Sequence, residues 1–423
     1  MRTTSLYLFV FSAMLMACGV ASVQEEKHGV SGKDKFLSVG EWKMNMQLSA
    51  TDFLPFRFNL LEENNKYYAE VVNGTEKIKS LELSLNGDSI FFRLPIFDSE
   101  FRLKRMDQGT LVGAWYNYTR CCNYHIDVSA KFGSEERFVL PESLSEDPAD
   151  FNGKWKVIFS PGTDDQYDAV GLFEQKNNRI SGTFLTETGD YRFLEGNVFG
   201  NRMLLSCFDG SHAFLFDARL NAEQQLSGKF FSGKHWQEPW TANRNAAFEL
   251  ANPDSLTYIK PGYSGLNFAF PNLKGETVSF PSDNYTNKVV IVQLMGSWCP
   301  NCMDETAFLK DLYNEYHAQG LEIISLCYER SENFEESVRN VSNHKNHLGA
   351  NWQFLIAGSA SKEKAAKTLP MLNHVMSFPT SIFIDKNGKV RKIHTGFYGP
   401  GTGDYFTRYS ELNRNFVEKL LAE

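Results

Sequence analysis

Residues Val289 to Cys302 read VVIVQLMGSWCPNC and determine the fold of the C-terminal part of the chain. Its first part, residues 289–294, is a short apolar run, which is typical of a buried strand. A helix is predicted from the cysteines to about Gln319, and Pro300 suits its first position because the missing N–H would have no partner there. The sequence therefore predicts a buried strand that leads directly into a Cys-x-x-Cys pair at the head of a helix.

This position gives the two cysteines different expected roles. Unpaired N–H groups and the helix macrodipole favour a thiolate over a thiol, so we expect Cys299 to be an exposed nucleophile. Cys302 lies less than one turn away, close enough to attack a mixed disulfide on Cys299 and release the reduced product. Zinc would need further Cys or His ligands nearby in the sequence, and a structural disulfide that closes so short a loop would stabilise little. The spacing favours a redox-active Cys299–Cys302 disulfide, with no metal and no other cofactor.

Strands and helices alternate from about residue 262 onward, which is the pattern of an α/β domain. The predicted strands cover residues 267–270, 277–280, 289–294, 321–326, 353–356, 381–384 and 390–395. The predicted helices cover residues 299–319, 333–347 and 362–369, with a last amphipathic helix near the C-terminus. The sequence Ser377-Phe378-Pro379-Thr380 stands directly before one of these strands.

The order of these elements, with the Cys-x-x-Cys pair and the Phe-Pro-Thr sequence, resembles the thioredoxin superfamily. More narrowly, residues 262–423 resemble the membrane-tethered TlpA/ResA-type disulfide reductases. The resemblance implies that Pro379 is a cis-proline opposite the dithiol and that Phe378 offers backbone groups to an extended substrate peptide. Trp298 beside the first cysteine indicates a further substrate-binding surface.

Two positions bear on proton transfer at the dithiol. Gln293, which cannot titrate, stands where thioredoxins carry a buried Asp. Glu305 stands where TlpA/ResA-type reductases carry a Glu, and a helical register places it beside Cys302. We expect a desolvated Glu305 that takes the proton of Cys302, and the alternative is a solvated carboxylate next to Asp304.

The N-terminus predicts export from the cytoplasm. The apolar segment Leu6 to Met16 suits a signal peptide, and Leu15-Met16-Ala17-Cys18 resembles a bacterial lipobox, in which Cys18 receives the lipid anchor. The alternative is an ordinary secretory signal with a chance cysteine. We therefore expect a signal peptide over residues 1–17 and a tether over 18–36, on a lipoprotein of the bacterial cell envelope that faces the periplasm.

The first 250 residues contain an internal repeat with an offset of about 113 positions. Gly40-Glu41-Trp42-Lys43 corresponds to Gly153-Lys154-Trp155-Lys156, and short alternating apolar runs are separated by turn sequences. The 35 Phe and 17 Tyr of the chain favour strands. The predicted fold class is two related all-β units, each a barrel or sandwich, over residues 37–143 and 148–250, followed by the α/β thioredoxin-like domain over residues 262–423. Cysteines 121, 122 and 207 of these units could form a disulfide or remain free thiols.

Composition limits the possible functions. The 423 residues carry 51 acidic side chains against 43 Lys plus Arg, a net charge of −8, which argues against nucleic acid as a partner. The preferred function is a membrane-anchored thiol:disulfide oxidoreductase that reduces protein disulfides, with a membrane thiol-relay electron donor. The alternatives are a thiol peroxidase, disfavoured because residues 295–299 lack the Pro and Thr of peroxidatic sites, and a binding protein whose β units carry an appended redox domain.

Overall fold

The computed structural model describes residues 36–120, 122–133, 136–139 and 147–423. The predicted signal peptide, Cys18, the tether up to residue 35 and Cys121 lie outside the described residues. None of the helices in the described ranges is long and apolar enough to cross a bilayer.

The first β unit is one antiparallel sheet of nine strands. The strands are β1 (Gly40–Gln47), β2 (Phe53–Glu63), β3 (Lys66–Asn73), β4 (Glu76–Lys79), β5 (Ser84–Asn86), β6 (Ser89–Phe92), β7 (Ser99–Asp107), β8 (Thr110–Asn117) and β9 (His125–Phe132). Their order is β4-β3-β2-β1-β9-β8-β7-β6-β5, so β4 and β5 form the two edges. Alternate residues of β1 are buried, and Trp42, Met44 and Met46 face the core, as the period of a half-buried strand requires.

The second β unit is a closed barrel. Its strands are β10 (Gly153–Phe159), β11 (Tyr167–Lys176), β12 (Arg179–Thr186), β13 (Gly189–Asp190), β14 (Leu194–Phe199), β15 (Arg202–Phe208), β16 (Ala213–Leu220), β17 (Gln225–Ser232) and β18 (Trp236–Arg244). Eight of them form an antiparallel ring in which β10 pairs with β18 and β11 with β12, while the short β13 pairs with β12 alone. Aromatic side chains such as Phe159, Phe184, Phe216 and Trp240 fill the interior, which agrees with the small lumen of an eight-stranded barrel.

Equivalent contacts confirm that the two β units are related. The indole Nε1 of Trp42 donates to the carbonyl of Ser38 at 2.8 Å, and that of Trp155 donates to the carbonyl of Phe151 at 3.0 Å, four residues earlier in each case. The units differ in closure, because the first is open where the second is a ring. Phe208 at the end of β15 packs into the first unit, with its ring centroid 4.7 Å from that of Phe56.

The C-terminal domain contains a hairpin, a five-stranded sheet and flanking helices. The helices are α1 (Pro253–Leu256), which precedes the domain, α2 (Pro300–Tyr316), α3 (Phe334–Leu348), α4 (Lys362–Thr368) and α5 (Asp404–Ala422). The strands are β19 (Phe268–Pro271), β20 (Thr277–Phe280), β21 (Val289–Met295), β22 (Leu321–Glu329), β23 (Gln353–Ser359), β24 (Thr380–Ile384) and β25 (Val390–Thr395). The sheet order is β23-β22-β21-β24-β25, with β21, β22 and β23 parallel.

The predicted fold class is confirmed: two related all-β units precede a thioredoxin-like α/β domain. Each predicted element of the α/β domain is present within a few residues of its expected bounds. The central strand β21 is buried along its whole length, because helices cover both faces of the sheet. Residues 37–423 pack as one compact unit, so the three parts are in mutual contact.

Candidate functional site

Cys299 caps the N-terminus of α2. Its backbone is extended, Pro300 occupies the first helical turn, and its Sγ accepts a hydrogen bond from the backbone N–H of Cys302 at 3.2 Å. The same sulfur donates to the carbonyl of Phe378 at 3.5 Å. The strand-to-helix junction therefore aims an otherwise unpaired helix N–H at this sulfur, in the arrangement that the sequence predicts.

Cys302 lies behind Cys299 and is completely buried. Both residues carry free thiols. Burial raises the pKa of the Cys302 thiol well above its ordinary value, and the hydrogen bond and charge of Cys299 raise it further. Cys302 therefore needs a base before it can act as a nucleophile at neutral pH.

Glu305 is a buried carboxylate, three residues after Cys302, that can act as this base. Its oxygens accept hydrogen bonds from Gln293 Nε2 at 2.9 Å, from Ser381 Oγ at 2.9 Å and from Tyr409 OH at 3.4 Å. Burial raises the pKa of Glu305 to about 7, although these hydrogen bonds oppose the shift. The carboxylate also raises the pKa of Cys302 by electrostatic repulsion. The structure thus places Glu305 in the desolvated position and not in the solvated alternative.

The Phe378–Pro379 segment faces the dithiol. The peptide bond between these residues is cis, as the resemblance implied, and the carbonyl of Phe378 is the group that contacts Cys299. Trp298 packs edge-on against Phe378, with ring centroids 6.1 Å apart, and its indole donates to the carbonyl of Tyr328. The three predicted substrate-binding residues therefore meet around the sulfur of Cys299.

The prediction that Cys299 is exposed is wrong. Only 6% of its surface is accessible, because the second β unit packs on the dithiol end of the domain. Ser211 Oγ donates to the carbonyl of Trp298 at 2.9 Å, and Arg192 donates to the carbonyl of Pro300 at 3.2 Å. The sequence contained no signal for this contact, since the partners lie about a hundred positions apart.

Residues 186–190, here called the cover segment, lie over the dithiol. The carbonyls of Thr186 and Thr188 accept hydrogen bonds from Tyr398 OH and Ser377 Oγ. The carbonyl of Asp190 accepts one from Asn301 Nδ2 at 3.1 Å. Three alternate carbonyls of the hairpin turn between β12 and β13 therefore bind side chains around the dithiol and the cis-proline loop.

Sequence reasoning also missed a buried ion cluster where the three parts of the chain meet. Arg192 forms ion pairs with Asp304 of α2 and with Glu76 of the first β unit, and its Nε lies 3.5 Å from Asp209. Burial raises the pKa of Asp304 to about 7, since repulsion from Asp190 and Glu76 offsets the attraction of Arg192. The guanidinium of Arg192 is therefore the shared cation of several carboxylates. Through it, Arg192 connects both β units to the active-site helix α2.

A second missed group lies on the other side of Trp298. The guanidinium of Arg330 stacks on the Trp298 ring, 4.3 Å from its centroid, and donates to Thr119 Oγ1 of the first β unit at 3.0 Å. Beneath it, the carboxylate of Glu329 accepts hydrogen bonds from the backbone N–H and the hydroxyl of Ser297. No sequence motif marks Glu329 or Arg330, because they follow a predicted strand whose apolar sequence indicates only a place in the core.

The cysteines outside the dithiol have separate positions. Cys207 is a buried free thiol in the barrel core, and Cys327 is a buried free thiol in β22. Cys122 is exposed. The disulfide between the β units that the sequence left open does not involve Cys207.

Comparison with known proteins agrees with this geometry. Residues 260–405 match the family model described as Redoxin. The thiol-disulfide oxidoreductase ResA of Geobacillus thermodenitrificans is 29% identical over 140 residues, which are 33% of this chain and 72% of that protein. ResA of Halalkalibacterium halodurans is 28% identical over 137 residues, which are 32% of this chain and 69% of that protein.

A solved structure from Chlorobium tepidum, described as a putative thiol:disulfide interchange protein DsbE, covers 37% of this chain and 99% of its own, with 19% identity and a TM-score of 0.28. The matches to the family model and to the curated relatives coincide with the α/β domain that contains Cys299 and Cys302. Through this domain, the chain is similar to the TlpA/ResA-type thiol-disulfide oxidoreductases of the thioredoxin superfamily.

Proposed function

We propose that the chain reduces disulfides of protein substrates outside the cytoplasm, through the Cys299–Cys302 dithiol, while it is anchored to a bacterial membrane by Cys18. The observation that carries the proposal is the position of Cys299, whose sulfur caps α2 directly in front of the buried pair Cys302 and Glu305. The lipobox sequence supports the anchor and the export.

In the first step the thiolate of Cys299 attacks one sulfur of the substrate disulfide. A bond forms between Cys299 and that sulfur, the substrate S–S bond breaks, and the other substrate sulfur leaves as a thiolate that takes a proton from water. The carbonyl of Phe378 contacts the attacking sulfur of Cys299, and the ring of Trp298 packs against Phe378, which is where an extended peptide can lie.

In the second step Cys302 resolves the mixed disulfide. Glu305 accepts the proton of Cys302, and the resulting thiolate attacks the sulfur of Cys299. The mixed disulfide breaks, the second substrate thiol is released, and the chain is left with a Cys299–Cys302 disulfide. Two electrons have moved to the substrate, and a membrane thiol-relay donor returns the chain to the dithiol form.

Access to Cys299 requires the cover segment to move. Its contacts with Asn301, Ser377 and Tyr398 are single hydrogen bonds from side chains, with a net value of about 1 kcal/mol each. A substrate peptide can replace these three contacts, while the buried hydrogen bond from the N–H of Gly399 to Asp190 Oδ2 at 2.6 Å holds the end of the segment. Through the cover segment the β units take part in the reaction. They are then neither a spacer nor a separate binding protein.

The direct test is reduction of insulin disulfides by the full chain with a thiol reductant. We expect the wild-type chain to catalyse it and Cys299→Ser to lose the activity, with Cys327→Ser, a buried cysteine outside the dithiol, as the matched control. Peroxide consumption is measured beside it. Rapid peroxide reduction without disulfide reduction would favour the thiol peroxidase alternative and overturn the proposal.

The membrane anchor is tested separately. Labelling of the growing cells with a palmitate analogue is expected to mark the wild-type chain and to leave Cys18→Ala unmarked, because only a thiol at that position can receive the lipid. A labelled Cys18→Ala chain, or an unlabelled wild-type chain, would contradict the lipoprotein assignment.

A further inference from the structure

Two arginines without carboxylate partners lie beside the dithiol. In the part of the chain that the structure describes, no carboxylate oxygen lies within 4.0 Å of the guanidinium of Arg120 or of Arg330. Arg330 is held by the ring of Trp298 and by Thr119, and Arg120 lies over the ring of Tyr124 at 5.4 Å. Both side chains are partly buried.

These two positive charges are close enough to repel each other. Burial and the charge of Arg120 together lower the pKa of Arg330 to about 10, while Cys299 and Glu329 act in the opposite direction. The pKa of Arg120 is also lowered by burial. Holding like charges together at a partly desolvated site is unfavourable unless an anion binds there. The local charge is also opposite to the net charge of −8 of the whole chain.

Within the described ranges the other charged groups at this place form no ion pair with either arginine, although Glu329 attracts Arg330 electrostatically. The carboxylate of Glu329 is engaged by Ser297, and Glu336 accepts a hydrogen bond from Ser331 and lies 3.8 Å from Arg339. His235 contacts Tyr124, and burial lowers the pKa of His235 to about 4.

Space for a ligand exists on both sides of Arg120. A cavity of about 550 Å³ at the mouth of the barrel is lined by Arg120, by Asn301 of the Cys-x-x-Cys motif, by aromatic side chains such as Tyr191, and by the acidic residues Asp165, Asp190 and Glu238. A second cavity of about 300 Å³ is lined by Arg120, Arg330 and Trp298, and also by Glu329 and Glu336. Arg120 therefore borders both cavities, and Arg330 borders the one beside Trp298.

From this arrangement we propose that Arg120 and Arg330 form a recognition site for a carboxylate next to the reducible cysteine, so that the preferred substrates are acidic peptide segments. A guanidinium binds a carboxylate with two parallel hydrogen bonds, which fixes the orientation as well as the charge of the ligand. The inference rests on the proposed function, and it assigns a substrate-recognition role to the first β unit, which supplies Arg120.

The test uses three short cyclic peptides that are identical except for Glu, Gln or Lys beside one cysteine of their single disulfide. For the full-length wild-type chain, kcat/KM is expected to be about tenfold higher for the Glu peptide than for the Gln peptide, and lowest for the Lys peptide. Added salt is expected to reduce the preference.

The variants Arg120→Gln and Arg330→Gln are each expected to lose most of the ratio between the Glu and Lys peptides, and Arg120→Lys to keep part of it. Arg219→Gln, at an exposed position on the far end of β16, is the matched control and should keep the full ratio. A change in this ratio indicates recognition of the carboxylate. An effect of Arg330 on the reactivity of Cys299 would instead change the rates of all three peptides equally.

Equal rates for the three peptides with the wild-type chain, or an unchanged ratio in both Gln variants, would overturn the arginine site and leave the proposed reductase function intact. Failure to reduce any of the three peptides would overturn the proposed function together with this inference.

Discussion

Glu305 is a carboxylate that the fold keeps close to its titration point at neutral pH. Burial alone raises its pKa, and the three hydrogen-bond donors Gln293, Ser381 and Tyr409 limit the rise, so that the pKa is about 7. A group in this range can both accept a proton and release it, which is what a general base for Cys302 must do in each cycle.

The pH profile of the resolution step tests this role. Above pH 7 the carboxylate is ionised and can take the proton of Cys302, so the wild-type rate should rise as the pH increases through about 7. Glu305→Gln should lack this rise and resolve more slowly at pH 8. The measurement is the release of substrate thiol from a preformed mixed disulfide on Cys299, and Glu315→Gln on the exposed part of α2 is the control. An unchanged profile in Glu305→Gln would remove the proposed role.

The same carboxylate should lower stability at neutral pH. Because its pKa rises on folding from about 4.5 to about 7, the folded chain holds the proton more tightly, and the free energy of unfolding falls between pH 4.5 and 7. Glu305→Gln removes this penalty, so it should be more stable than wild type above pH 7 by up to about 3 kcal/mol and no more stable at pH 4. Denaturant unfolding of wild type and Glu305→Gln at pH 4 and above pH 7 measures the difference. Equal stability of the two proteins at both pH values would contradict a raised pKa of Glu305.

At the scale of single residues, the sequence predicted those positions whose signal is local. Cys299, Cys302 and Glu305 follow from helical spacing and family resemblance, and the Phe378–Pro379 bond is cis as implied. Arg192 and Arg330 could not be found, because their roles come from contacts with residues more than 100 positions away.

At the scale of elements, the N-terminus of α2 meets the cover segment. Gly189 in this segment has a φ of +143°, and a Cβ added there would lie 2.3 Å from Asn301 Nδ2. Only glycine allows both this backbone conformation and the close approach to the Cys-x-x-Cys motif. The contact between segment and helix therefore depends on one residue.

Gly189→Ala is expected to expose Cys299. The added methyl group displaces the Asn301 amide, and loss of its hydrogen bond, about 1 kcal/mol, corresponds to roughly a fivefold faster alkylation of Cys299 by iodoacetamide. Peptide mass spectrometry follows the modification of Cys299 over time. Gly162→Ala is the matched control, since Gly162 also has a positive φ but would contact nothing within 4 Å. Equal alkylation rates in wild type and Gly189→Ala would show that this segment does not limit access.

Element prediction succeeded where the hydrophobic pattern is regular. The apolar run of β21 and the helix that begins at Pro300 are where the sequence placed them. The strand β22 extends to Glu329, three residues beyond its predicted end, because Tyr328 and Glu329 pair with Gly358 and Ser359 of β23. Pairing with a strand further along the chain leaves no periodic trace in β22 itself.

At the scale of the whole molecule, Arg192 joins the two β units to α2. Removing the guanidinium leaves the carboxylates of Asp304, Glu76 and Asp209 buried without their cation, which typically costs about 3–5 kcal/mol. We therefore expect Arg192→Met to lower the free energy of unfolding by that amount in chemical denaturation. Arg219→Met, at an exposed arginine of the same barrel, should change it by less than about 1 kcal/mol. An effect of Arg192→Met as small as that of the control would contradict the connecting role.

The repeat offset predicted two related β units, but it did not predict that only the second closes into a ring. Ring closure depends on the pairing of β11 with β12, and the insertion of Phe208 into the first unit depends on how the units pack. The burial of Cys299 arises in the same way. Contacts of this kind are set by shape complementarity between surfaces, which a single sequence does not display.

The proposed mechanism requires the sulfur of Cys299 to be the one that first bonds to the substrate. Cys302→Ser removes the resolving thiol, so a substrate attacked by Cys299 should remain attached to the chain. We expect peptide mass spectrometry of the trapped complex to find the mixed disulfide on Cys299. A substrate bonded to Cys122, or no trapped complex with a chain that otherwise folds, would contradict the central claim.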